Sequence, residues 1–168
     1  MDEFDAVILG IIQGLTEFLP VSSSGHLEIT RELLDTNQLP SDNLLMTSVL
    51  HFATALSTIL VFRKDIFNLI KGLFEKENKS SKSYVIKILI AIVPAGLVGF
   101  LLSDEIEFLF SGNMTLVGIM LITTGTLLFL TKILKTKNFK ISRVHALIIG
   151  LSQAFAVIPG ISRSGATI

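Results

Sequence analysis

The chain has 168 residues, half of them hydrophobic and only 17% charged, with 14 basic and 14 acidic side chains. A soluble domain carries roughly 25% charged residues, so an ordinary soluble fold is excluded, and no nucleic acid is expected as a partner. Cysteine is absent, which excludes disulfides and thiolate metal sites.

In chain order, the opening MDEFDAVILG has acids where a cleavable secretory signal has its basic region, so no cleavage is expected. An apolar stretch runs from Ala6 to Val21 and closes in the polar turn PVSSSGH, residues 20–26. Residues 25–34 read as the next helix. Leu44–Phe62 has no formal charge, Tyr84–Leu102 carries only Lys87, and Met114–Leu130 has none. These are apolar all round rather than striped, and each approaches the roughly 20 residues that cross a bilayer. Spans are therefore predicted over 44–62, 84–102 and 114–134. Pro94, inside the second, reads as a kink that neighbouring helices tolerate. His51, mid-span beside Thr47 and Thr54, is suited to hydrogen-bonding across helices, and His145, beside Arg143, reads as interfacial.

The connectors orient these spans. Residues 63–83 hold six basic side chains against three acids, and residues 132–143 hold five basic and no acid. Residues 27–43 have Arg31 alone, and residues 103–113 have no basic residue. The positive-inside rule places the first pair in the cytoplasm and the second pair outside, and the spans alternate consistently.

The stretch AVILGIIQGLTEFLPVSSSG (6–25) aligns without a gap on ALIIGLSQAFAVIPGISRSG (146–165), with seven of twenty positions identical. Shared aliphatics mean little in membrane segments, whereas shared Gly, Gln and Ser-x-Ser-Gly point to duplication. Each copy is roughly 15 apolar residues, short for a span and fitting a re-entrant segment. The expected fold is an all-α polytopic membrane protein with inverted repeats and re-entrant helix hairpins. The first repeat occupies 1–140, with a hairpin at 4–35 plus the three spans. The second, 141–168, is read as truncated. Three spans between the copies invert one relative to the other, the arrangement that builds a buried polar site. Were 6–21 to span fully, the repeats would be parallel.

The turns hold the candidate chemistry. Gln13 and Glu17, four apart, share a helical face, and an acid in an apolar run is a functional candidate by default. Ser22, Ser23, Ser24 and Gly25 offer hydroxyls and N–H groups at a helix start suited to anions, and His26 there can serve as acid, base or nucleophile. In the second turn Ser162, Ser164, Gly165 and Thr167 are joined by Arg163, whose planar fork suits phosphate. The set fits phosphoryl chemistry on an anionic head group with its tail in lipid. Structural readings stand beside it: Ser22 as a helix cap, His26 as a structural histidine, Glu17 as an inert buried acid, and Arg163 as a partner of Glu17 or an interfacial side chain.

QGLTEFLPVSSSGHL and PGISRSGAT closely resemble the two signature segments of the undecaprenyl-diphosphate phosphatase, or bacitracin-resistance protein, family. The resemblance implies a plasma-membrane hydrolase that converts a C55 polyprenyl diphosphate to the monophosphate, recycling the carrier for cell-wall glycan synthesis. It implies that Gln13 and Glu17 bind a divalent cation, Mg²⁺ or Ca²⁺, with Glu17 alternatively a base. Ser23 falls on the serine most often proposed as nucleophile, His26 on an acid–base or nucleophilic histidine, and Arg163 on a phosphate clamp flanked by Ser162, Ser164 and Thr167. The site is expected to open toward the outer face. Expected partners are the lipid diphosphate, membrane lipid and, in a homodimer, a second copy. The resemblance covers about the first three fifths of a typical member, so this stretch alone is expected to be inactive or unstable. The rival readings are an inverted-repeat transporter or lipid flippase binding the same head group, and a non-functional fragment.

Overall fold

A computed structural model describes residues 2–35, 40–75, 78–109, 113–134 and 140–168, and among these all regular structure is helical. Lys76, Lys135 and Lys137 of the basic connectors lie outside the described residues, as do 36–39 and 110–112 of the other two.

Helix α1 (Glu3–Thr16) starts at a reciprocal cap: the Asp2 carboxylate accepts from the Asp5 N–H at 2.8 Å, and Asp5 accepts from the Asp2 N–H. Such caps satisfy N–H groups that the first turn leaves unpaired. At 14 residues the helix is about 21 Å long, too short for a hydrocarbon core of about 30 Å. The chain turns at 17–22 and returns as α2 (Ser23–Leu33), which packs on α1.

Helix α3 (Pro40–Val61) is followed by α4 (Arg63–Phe74), and a bend of 74° separates Leu45–Val61 from Arg63–Phe74. Helix α5 (Lys79–Leu101) and α7 (Met114–Ile133) are long and apolar enough to cross a membrane, and α3 with α4 provides a third span if the bent pair is counted as one. Helix α5 runs through Pro94 without a break. Short α6 (Ser103–Leu109) lies between α5 and α7.

Helix α8 (Arg143–Phe155) repeats the entry of α1: the Ser142 hydroxyl accepts from the His145 N–H, while the His145 ring takes the Ser142 N–H at 3.1 Å. His145 is thus part of a cap, a role that the sequence reading did not give it. A turn then leads to α9 (Arg163–Thr167).

Most large apolar side chains of α5 and α7 face outward, and α5 has no buried residue. That pattern belongs to lipid-facing helices. The buried core is correspondingly small: Leu9, Leu27 and Leu50 from α1, α2 and α3 meet, with Ile12 and Met46 against them. A second contact joins α8 to α5 at Gly150, where an added Cβ would lie 2.8 Å from the Ala91 carbonyl and 2.9 Å from Pro94 Cγ. Helix α7 touches both α2 and α9 and so stands between the two turns.

Candidate active site

Helix α1 delivers Gln13 and Glu17 to the first turn. Gln13 is 1% exposed. Its Nε2 donates to Glu17 Oε2 at 3.0 Å and to His51 Nδ1, on α3, at 2.9 Å. Glu17 Oε2 also accepts from the Ser23 hydroxyl at 2.6 Å. A continuous chain of bonds therefore runs His51–Gln13–Glu17–Ser23. The cross-helix bond expected of His51 is present, and its partner is one of the site residues.

Ser22 caps α2 in the left-handed region, with φ of 68°, and its hydroxyl accepts from the Gly25 N–H. Its carbonyl accepts from His26 Nδ1 at 2.8 Å. With the hydrogen on Nδ1, the neutral ring keeps its lone pair on Nε2, where it can take a proton. The capping role read for Ser22 is real and coexists with a place in the site. Helix α2 begins at Ser23, two residues earlier than the sequence suggested.

The second turn repeats the first in detail. Ser162 caps α9 and accepts from the Gly165 N–H at 3.1 Å, as Ser22 does from Gly25. The two serines of each Ser-x-Ser also pair, Ser162 with Ser164 at 3.1 Å and Ser22 with Ser24 at 3.3 Å. The shared tetrad therefore encodes the same capping bonds twice, on backbones that differ at the cap, where φ is 68° at Ser22 and −78° at Ser162. Thr124, buried on α7, ties the second turn down by donating to the Gly160 carbonyl and accepting from the Ser162 N–H. Sequence reasoning gave Thr124 no place in the site; nothing in one chain marks a hydroxyl that reaches a turn 36 residues away.

The turns touch each other. A Cβ on Gly25 would lie 3.0 Å from Gly160 Cα, and one on Gly165 would lie 3.3 Å from the Pro20 carbonyl. Two glycines thus allow backbone to meet backbone. Arg163 is exposed and makes no side-chain hydrogen bond or ion pair among the described residues, so it does not pair with Glu17. Thr167 turns its hydroxyl to the Arg163 and Ser164 carbonyls and closes the short helix.

Among the described residues no group of three or more His, Asp or Glu side chains converges as a metal cage. Two oxygens nevertheless stand ready. Gln13 Oε1 is buried without a hydrogen-bond partner, and Glu17 Oε1 is left over once Oε2 has accepted from Gln13 and Ser23. An amide oxygen beside a carboxylate fits a hard divalent cation, which completes its shell with water and substrate oxygens.

Fold and site together define an integral membrane protein of the helical-hairpin kind, whose two serine-capped turns meet, the first bearing carboxylate, hydroxyl and imidazole groups and the second a guanidinium. A family model described as "Bacitracin resistance protein BacA" matches residues 6–168. The chain is 54% identical over 168 residues to an undecaprenyl-diphosphatase of Christiangramia forsetii, covering 100% of this chain and 64% of the relative. It is 47% identical to one of Bacteroides fragilis (100% and 63% covered) and 42% identical to one of Methanococcus vannielii (96% and 64% covered). The chain belongs to the bacitracin resistance protein BacA family. It spans a little under two thirds of the length of these curated relatives.

Proposed function

We propose that the chain is the part of an undecaprenyl-diphosphatase that carries both polar turns, and that it removes the terminal phosphate of a polyprenyl diphosphate. The observation that carries this reading is the contact between the turns, one bearing the bonded pair Glu17 and Ser23 with His26 on the helix that follows, the other bearing Arg163. Membership of the family supports it.

The Ser23 hydroxyl already donates to Glu17, the arrangement of a nucleophile with its base. In the step proposed, Ser23 Oγ bonds to the terminal phosphorus and Glu17 takes the hydroxyl proton. The bond from that phosphorus to the bridging oxygen breaks, and the polyprenyl monophosphate leaves with the electron pair. Water then attacks the phosphoserine, giving its proton to His26 Nε2; phosphate departs and Ser23 recovers its proton from Glu17. Arg163, whose side chain makes no hydrogen bond or ion pair among the described residues, holds the phosphate oxygens as a planar fork. The N–H groups at the α2 cap add donors. Gln13 and Glu17 would hold Mg²⁺ or Ca²⁺, which supplies charge neutralisation for the diphosphate when bound.

The same reading puts the protein in the plasma membrane with its site open to the outer face, where lipid carriers of cell-wall glycan synthesis are released. Recycling that carrier would also confer bacitracin resistance. The test is phosphate release from a C55 diphosphate by the complete gene product with Mg²⁺ or Ca²⁺. Arg163→Ala and His26→Ala are each expected to lower kcat/KM by roughly 10²–10³. Full activity in both variants would overturn the proposal, and head-group transport in liposomes without phosphate release would identify a carrier instead.

A further inference from the structure

Gln13 is an amide where a second carboxylate would seem simpler, and an amide brings a problem of orientation. Its oxygen and nitrogen have nearly the same shape, so a half-turn exchanges an acceptor for a donor. Pointing NH₂ at a cation would repel it. Something must hold the oxygen in place, and Glu17 alone is a single contact.

His51 supplies the second contact. One amide hydrogen of Gln13 goes to Glu17 Oε2 and the other to His51 Nδ1. Both acceptors therefore sit on the nitrogen side, and a half-turn would set Oε1 against two acceptors while losing both bonds. The remaining oxygen, Oε1, is buried and has no partner in the protein. Buried polar atoms are normally paired, so an oxygen held in one orientation and left unpaired points to a ligand that is a Lewis acid or a donor.

We propose that His51 is a positioning residue that locks the Gln13 amide, so that Oε1 is presented to the divalent cation. This rests on the cation reading given above and adds to it a residue from α3, outside both polar turns. The role requires Nδ1 to accept, and hence the ring hydrogen to sit on Nε2. Groups that orient a ligand side chain typically change metal affinity by 10–100-fold when removed.

The experiment uses the complete gene product in detergent, with Mn²⁺ alone as the probe and its free concentration read by electron paramagnetic resonance. His51→Leu removes the acceptor and should raise the Mn²⁺ Kd roughly 10- to 100-fold. His51→Asn, whose Oδ1 can stand where Nδ1 stood, should return it to within about threefold of the parent, on the same footing. In a Gln13→Glu background both oxygens are equivalent and no flip exists, so His51→Leu should shift Kd by less than about threefold. An equal penalty in both backgrounds would show a merely structural histidine and overturn the inference, as would His51→Leu binding Mn²⁺ like the parent. Should the parent bind no Mn²⁺, or bind it equally after Glu17→Gln, the cation reading itself fails and this inference with it.

Discussion

At Gly160 the backbone has φ of 93°, and an added Cβ would sit 2.7 Å from both Met120 Cβ and the Val117 carbonyl. Only a residue without Cβ meets both conditions. Gly160→Ala is therefore expected to destabilise the protein by about 2–4 kcal/mol, joining backbone strain to overpacking, and thermal melting in detergent would measure it. Thr124 acts on the same turn through its hydroxyl, which donates to Gly160 and accepts from Ser162. Thr124→Val keeps the shape and removes both bonds, leaving a buried N–H and a buried carbonyl without this partner. The expected loss is about 1–3 kcal/mol and, on the function proposed above, phosphate release falls because the turn that carries Arg163 loses its hydrogen bonds to α7. A Thr124→Val protein as stable as the parent would show that the clamp does nothing. The partners of His51 and Thr124 share a reason for being hard to read in advance. Each side chain bonds to residues far along the chain, and local pattern carries no record of such a partner. The cap at Ser22 was legible because capping is local: the hydroxyl and the N–H from which it accepts are three residues apart.

Among the elements, the duplicated glycines give the clearest contrast. Gly10 and Gly150 occupy the same place in the repeat, yet their surroundings differ. A Cβ at Gly10 would meet only Leu50 Cδ2, at 3.9 Å, whereas at Gly150 it would strike the Ala91 carbonyl and Pro94. Gly10→Ala should thus be neutral or stabilising by about 0.5–1 kcal/mol, as alanine is the better helix former. Gly150→Ala should destabilise by about 1–3 kcal/mol by forcing α8 off α5. Equal effects at the two sites, measured by the same melting experiment, would contradict the packing described. The long spans were visible in advance because an uncharged run leaves no other reading. Helix α4 was not: its Lys64 and Lys71 made residues 63–83 look like a plain basic connector. In fact Phe67, Ile70 and Phe74 form one exposed apolar stripe at helical spacing, a pattern that charge counting overlooks.

For the molecule as a whole the duplication has a geometric consequence. Two short hairpins whose tips touch can enter from the same side of the membrane or from opposite sides, and the connector charges favour the latter. The α5 entry and the α8 entry carry Lys79, Lys82, Lys140 and Arg143, while the α5 exit and α6 carry Ser103, Asp104 and Glu105. By the positive-inside rule the first group is expected in the cytoplasm, and the inverted arrangement then predicts the start of α8 inside and the start of α1 outside. The 168 residues contain no cysteine, so single cysteines introduced here report without background once any cysteine elsewhere in the gene product is replaced. In intact cells expressing the complete gene product, Asp5→Cys should react with a membrane-impermeant maleimide, whereas Lys140→Cys should react only after the cells are opened. Lys140 is exposed and Asp5 half-buried, both at helix entries, so the membrane is the main limit on accessibility. Labelling of both from the same side would mean parallel repeats, and the picture of two polar tips reaching one centre from opposite leaflets would have to be abandoned.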